Sequence, residues 1–127
     1  MTQALTDKLA AVRAKFRQSL PGRLDELDAL IPGCVTSTGD GLVPTKRIHR
    51  ILHEISGNAG LLGERAVAAE LAPAFRIAET CAGSERVPSP TELRDIETAV
   101  RNARACLDDE GDEIAVTSVP KHGAART

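Results

Sequence analysis

Ile48-His49-Arg50-Ile51-Leu52-His53-Glu54-Ile55-Ser56-Gly57-Asn58-Ala59-Gly60-Leu61-Leu62-Gly63 reads as one amphipathic helix at ~100° per residue. Ile48, Ile51, Leu52, Ile55, Ala59 and Leu62 gather on one side, centred roughly 150° from His53. His53 therefore faces solvent, on a strip it shares with Lys46, His49, Arg50, Ser56, Gly57 and Gly60. The apolar side is what a helical bundle needs, and the opposite strip calls for a separate reason. Glycine in a helix interior costs ~1 kcal/mol relative to alanine, yet it recurs at 57, 60 and 63 beside a histidine. Glycine lets another backbone or side chain approach closely, so the strip has the properties of a docking surface around an exposed imidazole.

Outward from that stretch, the chain has the length of one domain, 127 residues, with 42% apolar and 27% charged residues. It contains two Phe and neither Tyr nor Trp. A core made of Leu, Ile, Val and Ala suits packed helices better than a sheet, because strands favour aromatic and β-branched residues. The fold class is all-α. A net charge of −2 excludes a general nucleic-acid binder, which needs a basic surface to displace counterions. No apolar run approaches the ~20 residues of a membrane-spanning helix, and the first residues lack signal-peptide architecture. Cys34, Cys81 and Cys106 are odd in number and widely spaced, with no Cys-x-x-Cys, the pattern of free thiols in a cytoplasmic protein and not of a disulfide or metal site.

Before the histidine helix, Leu5, Leu9, Val12, Phe16, Leu20, Leu24, Leu27 and Ile31 recur every three or four positions, a helical repeat from 5 to 31. Pro21 removes a backbone donor, so the element is expected as an extra or kinked N-terminal helix, or as two helices with Ser19 capping the second. Pro32-Gly33 ends it, and 33 to 43 is a loop. The histidine helix runs from about Pro44 to Leu62. A further helix from Glu64 to about Thr80 uses Val67, Leu71, Phe75 and Ala78, with Pro73 bending or dividing it. Ser89-Pro90-Thr91-Glu92 is a capping box with proline at the first helical position. The last helix buries Leu93, Ile96, Val100, Ala103 and Leu107. The whole is an up-and-down four-helix bundle over residues 1 to 109, with 110 to 127 a flexible tail that includes His122. With no heptad seam and no surplus apolar face, the expected state is a monomer.

His53, Ile55, Gly57, Ala59 and Gly63 fall on the positions of the signature His-x-Leu-Lys-Gly, small residues and a second Gly. The segment thus resembles histidine-containing phosphotransfer (HPt) domains, and Phe16-Arg17-Gln18-Ser19-Leu20-Pro21-Gly22-Arg23-Leu24 looks like the family's helix preceding the histidine helix. The resemblance covers roughly residues 8 to 107. It implies a phosphorelay intermediate in which His53 takes a phosphoryl group from a receiver-domain aspartate or hybrid sensor kinase and passes it to a response regulator. It implies no cofactor or ATP site of the protein's own, with magnesium supplied by the partner receiver. Lys46, His49, Arg50, Ser56, Gly57 and Gly60 are then the partner-binding strip. Imidazole suits this role as a competent nucleophile near neutral pH, and an exposed ring needs no internal triad when its partner supplies the electrostatics of phosphoryl transfer.

Ser56 stands where the family usually has Lys, which would offset phosphoryl charge; Lys46 and Arg50 are placed to compensate. His49 lies one turn before His53, but the residue four positions after it is His53 and not glycine, so it does not fit the acceptor's place. A His49 and His53 metal pair has no third ligand on its face. Two alternatives stand beside the relay. His53-Glu54-Ile55 matches half of the histidine-kinase dimerisation signature His-Glu-[Ile/Leu]-x-x-Pro, in which Glu54 would be catalytic, but Asn58 replaces the proline and Gly57 a larger residue. The other is a non-catalytic docking module that keeps the fold without phosphotransfer.

Overall fold

The computed structural model describes residues 3–35 and 40–115, with side chains described as far as Asp108. Within these residues there are four α-helices and no strand: α1 (Gln3–Leu30), α2 (Leu42–Leu62), α3 (Arg65–Gly83) and α4 (Pro90–Ala115). A single 3₁₀ turn, Pro32–Val35, leads towards α2. The helices pack in chain order, α2 on α3 and α3 on α4, while α1 closes against α2 and α4. Ion pairs fix the relative direction of α1 and α2. Arg23 meets Glu54 while Glu26 meets Arg47, so residue numbers rise on one helix as they fall on the other.

The core is mainly aliphatic, with Phe16 and Cys34 also in it. Leu20, Leu24 and Leu27 of α1, Ile48, Ile51, Leu52 and Ile55 of α2, Val67 and Leu71 of α3, and Ile96 and Val100 of α4 are all buried. These positions fall on the apolar repeats of the sequence. The N-terminal turns of α1 are different. Leu5, Leu9 and Val12 continue the apolar repeat but are 46%, 44% and 50% exposed. The reason is length: α1 continues for several turns before Arg17 comes level with Glu64, just past the end of α2. Leu107 is likewise only half-buried.

Both internal prolines are carried without dividing a helix. Pro21 lies inside α1, which is one element and not two, and Pro73 lies inside α3. Each ring is exposed, where the carbonyl deprived of its donor can turn to water. Ser19 is not a cap. Its hydroxyl donates to the Phe16 carbonyl at 2.8 Å, within the helix. At the other end, α4 runs on to Ala115, past the expected start of a tail at 110; residues 116 to 127, with His122, lie outside the described residues, as do 36 to 39 of the expected loop.

Two features clamp the helix ends. Gly41 is buried where α2 begins, and a Cβ there would lie 2.6 Å from the Cys34 carbonyl oxygen, so only glycine lets α2 seat against the 3₁₀ turn. Between α2 and α3, Glu64 is 3% exposed and accepts from Arg17 Nε and a terminal nitrogen at 2.9 and 2.8 Å, with Arg13 at 3.6 Å.

The capping box forms as the sequence implies. The Ser89 N–H donates to Glu92 Oε1 at 2.8 Å, and the Glu92 N–H donates to Ser89 Oγ at 3.1 Å. Arg86 adds a fork to both carboxylate oxygens at 2.9 and 3.0 Å. Arg86 first, and then the Ser89 amide, hold the Glu92 carboxyl at about 2, against an ordinary value of 4.5. A depressed folded-state pKa means that this stabilisation is complete above pH 4.5 and is lost as pH falls towards 2. Acid unfolding followed by helical circular dichroism is expected to show this loss, and Glu92→Gln is expected to flatten the pH dependence in that window while lowering stability at pH 7.

Candidate functional site

The helical period places two faces of α2 at fixed angles, and packing covers one of them. Ile48, Ile51, Leu52, Ile55 and Ala59 are buried; Lys46, Arg50, His53, Gly57 and Gly60 are exposed, and His49 and Ser56 are half-buried. The proposed strip is thus one surface. Lys46, His49, Arg50 and His53 line an open groove whose far wall is Glu79, Ala82 and Gly83 of α3. Ser56, Gly57 and Gly60 are not in that groove and continue the strip towards the C-terminus of α2.

Three rings meet beside the groove. His49 stacks on Phe75 of α3 with ring centroids 5.9 Å apart and planes 10° from parallel. His53 lies 5.9 Å from Phe75 at 56° and 6.1 Å from His49 at 65°. These separations and tilts lie in the range of attractive aromatic contacts. The buried Nε2 of His49 has no hydrogen-bond partner among the described residues.

Charge is distributed unevenly around α2. On the side facing α1, Glu54 pairs with Arg23, whose hydrogen bond holds the Glu54 carboxyl below its usual range, and Arg47 reaches Glu26 at 2.6 Å. On the side facing α3, Lys46 Nζ is 3.6 Å from Glu85. Glu85 has φ of 52°, a left-handed conformation that closes α3: its N–H donates to the Ala82 carbonyl, and the Arg86 N–H donates to that of Cys81. Arg50, in contrast, makes no ion pair within 4 Å among the described residues, although its charge acts on Glu54, and it lines the groove with His53.

The glycines divide by role. At Gly57 and Gly60 an added Cβ would meet nothing within 4 Å, so neither is required by packing inside the chain. Gly63 has φ of 73° and ends α2, with the Glu64 N–H donating to the Ala59 carbonyl at 2.9 Å. Its place follows from the helix terminus, not from clearance for a partner.

Sequence reasoning placed Phe75 on the core face of α3, where it packs half-buried against the core, and missed that it also stands against His49 and His53. The signal was available: Val67, Leu71, Ala74, Ala78 and Cys81 follow one another at intervals of four, three, four and three and are all buried, and Phe75 lies ~100° round from Ala74. It missed Arg23 as the partner of Glu54 because nothing local marks a contact 31 positions away. Among the described residues no group of three or more His, Cys, Asp and Glu side chains is placed to hold a metal ion, and no helix is long and apolar enough to cross a membrane.

Comparison of the chain with family models, curated proteins and solved structures finds no match.

Proposed function

We propose that this protein is a phosphorelay intermediate of the HPt kind, in which His53 accepts a phosphoryl group from the aspartyl phosphate of a receiver domain or hybrid kinase and returns it to a response regulator. In the forward step the P–O bond to the aspartate breaks as a P–N bond to the imidazole forms, and the carboxylate leaves; the outward step reverses this. The observation that carries the reading is an exposed imidazole on α2 beside two glycines over which none of the described residues packs. Arg50 and Lys46 stand in the same groove as His53 and suit the charge of a phosphoryl group or of an acidic receiver pocket. Magnesium belongs to the receiver in this scheme. The engagement of Glu54 by Arg23 favours the relay over a kinase-type mechanism that needs Glu54 as an acid or base. The test is an acid-labile mass gain of one phosphoryl group, read by intact-mass spectrometry at neutral pH after mixing with phosphorylated receivers.

A docking module without phosphotransfer is the second reading, favoured by Ser56 in place of lysine and by the pairing of Lys46 with Glu85. Receiver binding without any mass gain would select it.

Gly57 separates docking from folding. Because the space above it is open, Gly57→Gln is accommodated within the chain and is expected to stabilise it by about 0.5–1 kcal/mol through helix propensity. The same side chain projects into the partner's path, so receiver affinity is expected to fall by tenfold or more. Thermal melts and a binding titration on one sample check both; unchanged affinity would remove Gly57 from the docking surface.

A further inference from the structure

We infer that Phe75 is a positioning residue for His53, an inference that rests on the reading of His53 as the phosphoryl carrier. The terminal torsion of a histidine side chain has a broad energy profile, so an exposed imidazole with no contact sweeps many orientations. His53 has no hydrogen bond to its ring among the described residues, and yet two rings bound its movement. Phe75 lies at 5.9 Å with a tilt of 56°, and His49 at 6.1 Å with a tilt of 65°.

Phe75 is the firmer of the two walls. It is half-buried on α3 between the buried Ala74 and Ala78 turns, and His49 stacks on it at 10°, so its own orientation is set by packing on both helices. His49 thus backs Phe75, and Phe75 flanks the nucleophile. A reacting group held by neighbours whose own rotamers are locked retains its attack geometry, and a displacement on the order of 1 Å can cost about a hundredfold in rate. Loss of one of two walls is expected to cost less, roughly tenfold. The device uses shape and ring electrostatics, so that among the described residues no hydrogen bond to an imidazole nitrogen of His53 has to break before attack.

The experiment compares the wild-type chain with Phe75→Leu, which keeps apolar bulk and removes the ring, and Phe75→Tyr, which keeps the ring. The first readout is the NMR spectrum of the His53 ring, assigned by loss of its signals in His53→Gln. Phe75→Leu is expected to move the His53 ring-proton shifts and to raise ring mobility in 13C relaxation, and Phe75→Tyr to leave both near wild type. The second is phosphoryl uptake from a receiver domain charged with acetyl phosphate. Phe75→Leu is expected to lower the single-turnover transfer rate at saturating receiver about tenfold with the half-saturating receiver concentration unchanged, and Phe75→Tyr to stay within about twofold of wild type.

His53 shifts and mobility that do not respond to Phe75→Leu would overturn the positioning role, whatever the transfer rates. Equal loss in the Leu and Tyr variants, together with lowered melting temperatures, would also overturn it in favour of a packing role. If the wild-type chain takes up no phosphoryl group, the relay reading fails, and the NMR comparison still decides whether Phe75 orients His53.

Discussion

His53→Gln is expected to abolish phosphoryl uptake while leaving fold and partner binding intact. Glutamine has no nitrogen lone pair able to form a P–N bond, so no acid-labile product can arise at this position, and the loss is complete in kind. The fold is expected to persist because His53 is exposed and its described contacts include no hydrogen bond or ion pair, but packing against the rings of His49 and Phe75; surface changes of that sort usually shift stability by no more than about 0.5 kcal/mol. His49, 6.1 Å away with a buried Nε2 unpartnered among the described residues, is the control for misassignment. A phosphoryl gain that survives in His53→Gln and disappears in His49→Gln would move the nucleophile by one turn and invalidate the site as drawn.

Glu64→Gln is expected to destabilise the protein by about 2 kcal/mol. Glu64 is buried and receives two hydrogen bonds from Arg17. Glutamine keeps the shape but removes the charge, and its amide presents donors where the guanidinium also donates. Breaking a fully buried pair costs about 3–5 kcal/mol; the Arg17 side chain is 22% exposed, so water partly relieves it and the lower figure applies. For a domain of this size the melting temperature is expected to fall by roughly 6–10 °C, with the denaturant midpoint dropping at constant slope. Exchanging Arg17 and Glu64 for leucine is expected to recover part of the loss, since an apolar pair leaves no buried charge unmatched and Arg13, which also loses Glu64, is half exposed to water. A loss below about 0.5 kcal/mol would mean that the pair only breaks even with hydration.

The two substitutions probe different kinds of information in the chain. The layout of α2 was legible because it depends on one number, the angle between successive residues. Ile48, Ile51, Leu52 and Ile55 must share a face, and His53 must oppose it, whatever α2 packs against. The same holds for the capping box at Ser89 and Glu92, whose partners are three residues apart. Periodicity alone does not tell burial: Leu5, Leu9 and Val12 continue the repeat of α1 and are exposed, because an apolar stripe is buried only where another helix runs alongside it.

What the sequence by itself determined, then, is the helical class, the exposed imidazole opposite an aliphatic face, and the local terminus at Ser89. All follow from covalent geometry and from bonds between near neighbours. Only the tertiary structure decided that Phe75 stands against His53 and His49, that Arg23 occupies Glu54, and that Arg17 and Glu64, 47 positions apart, close the hinge between α2 and α3. These contacts depend on how far each helix extends past its neighbours and on their mutual rotation, which arise when separate apolar faces are packed together and which no single helical period encodes.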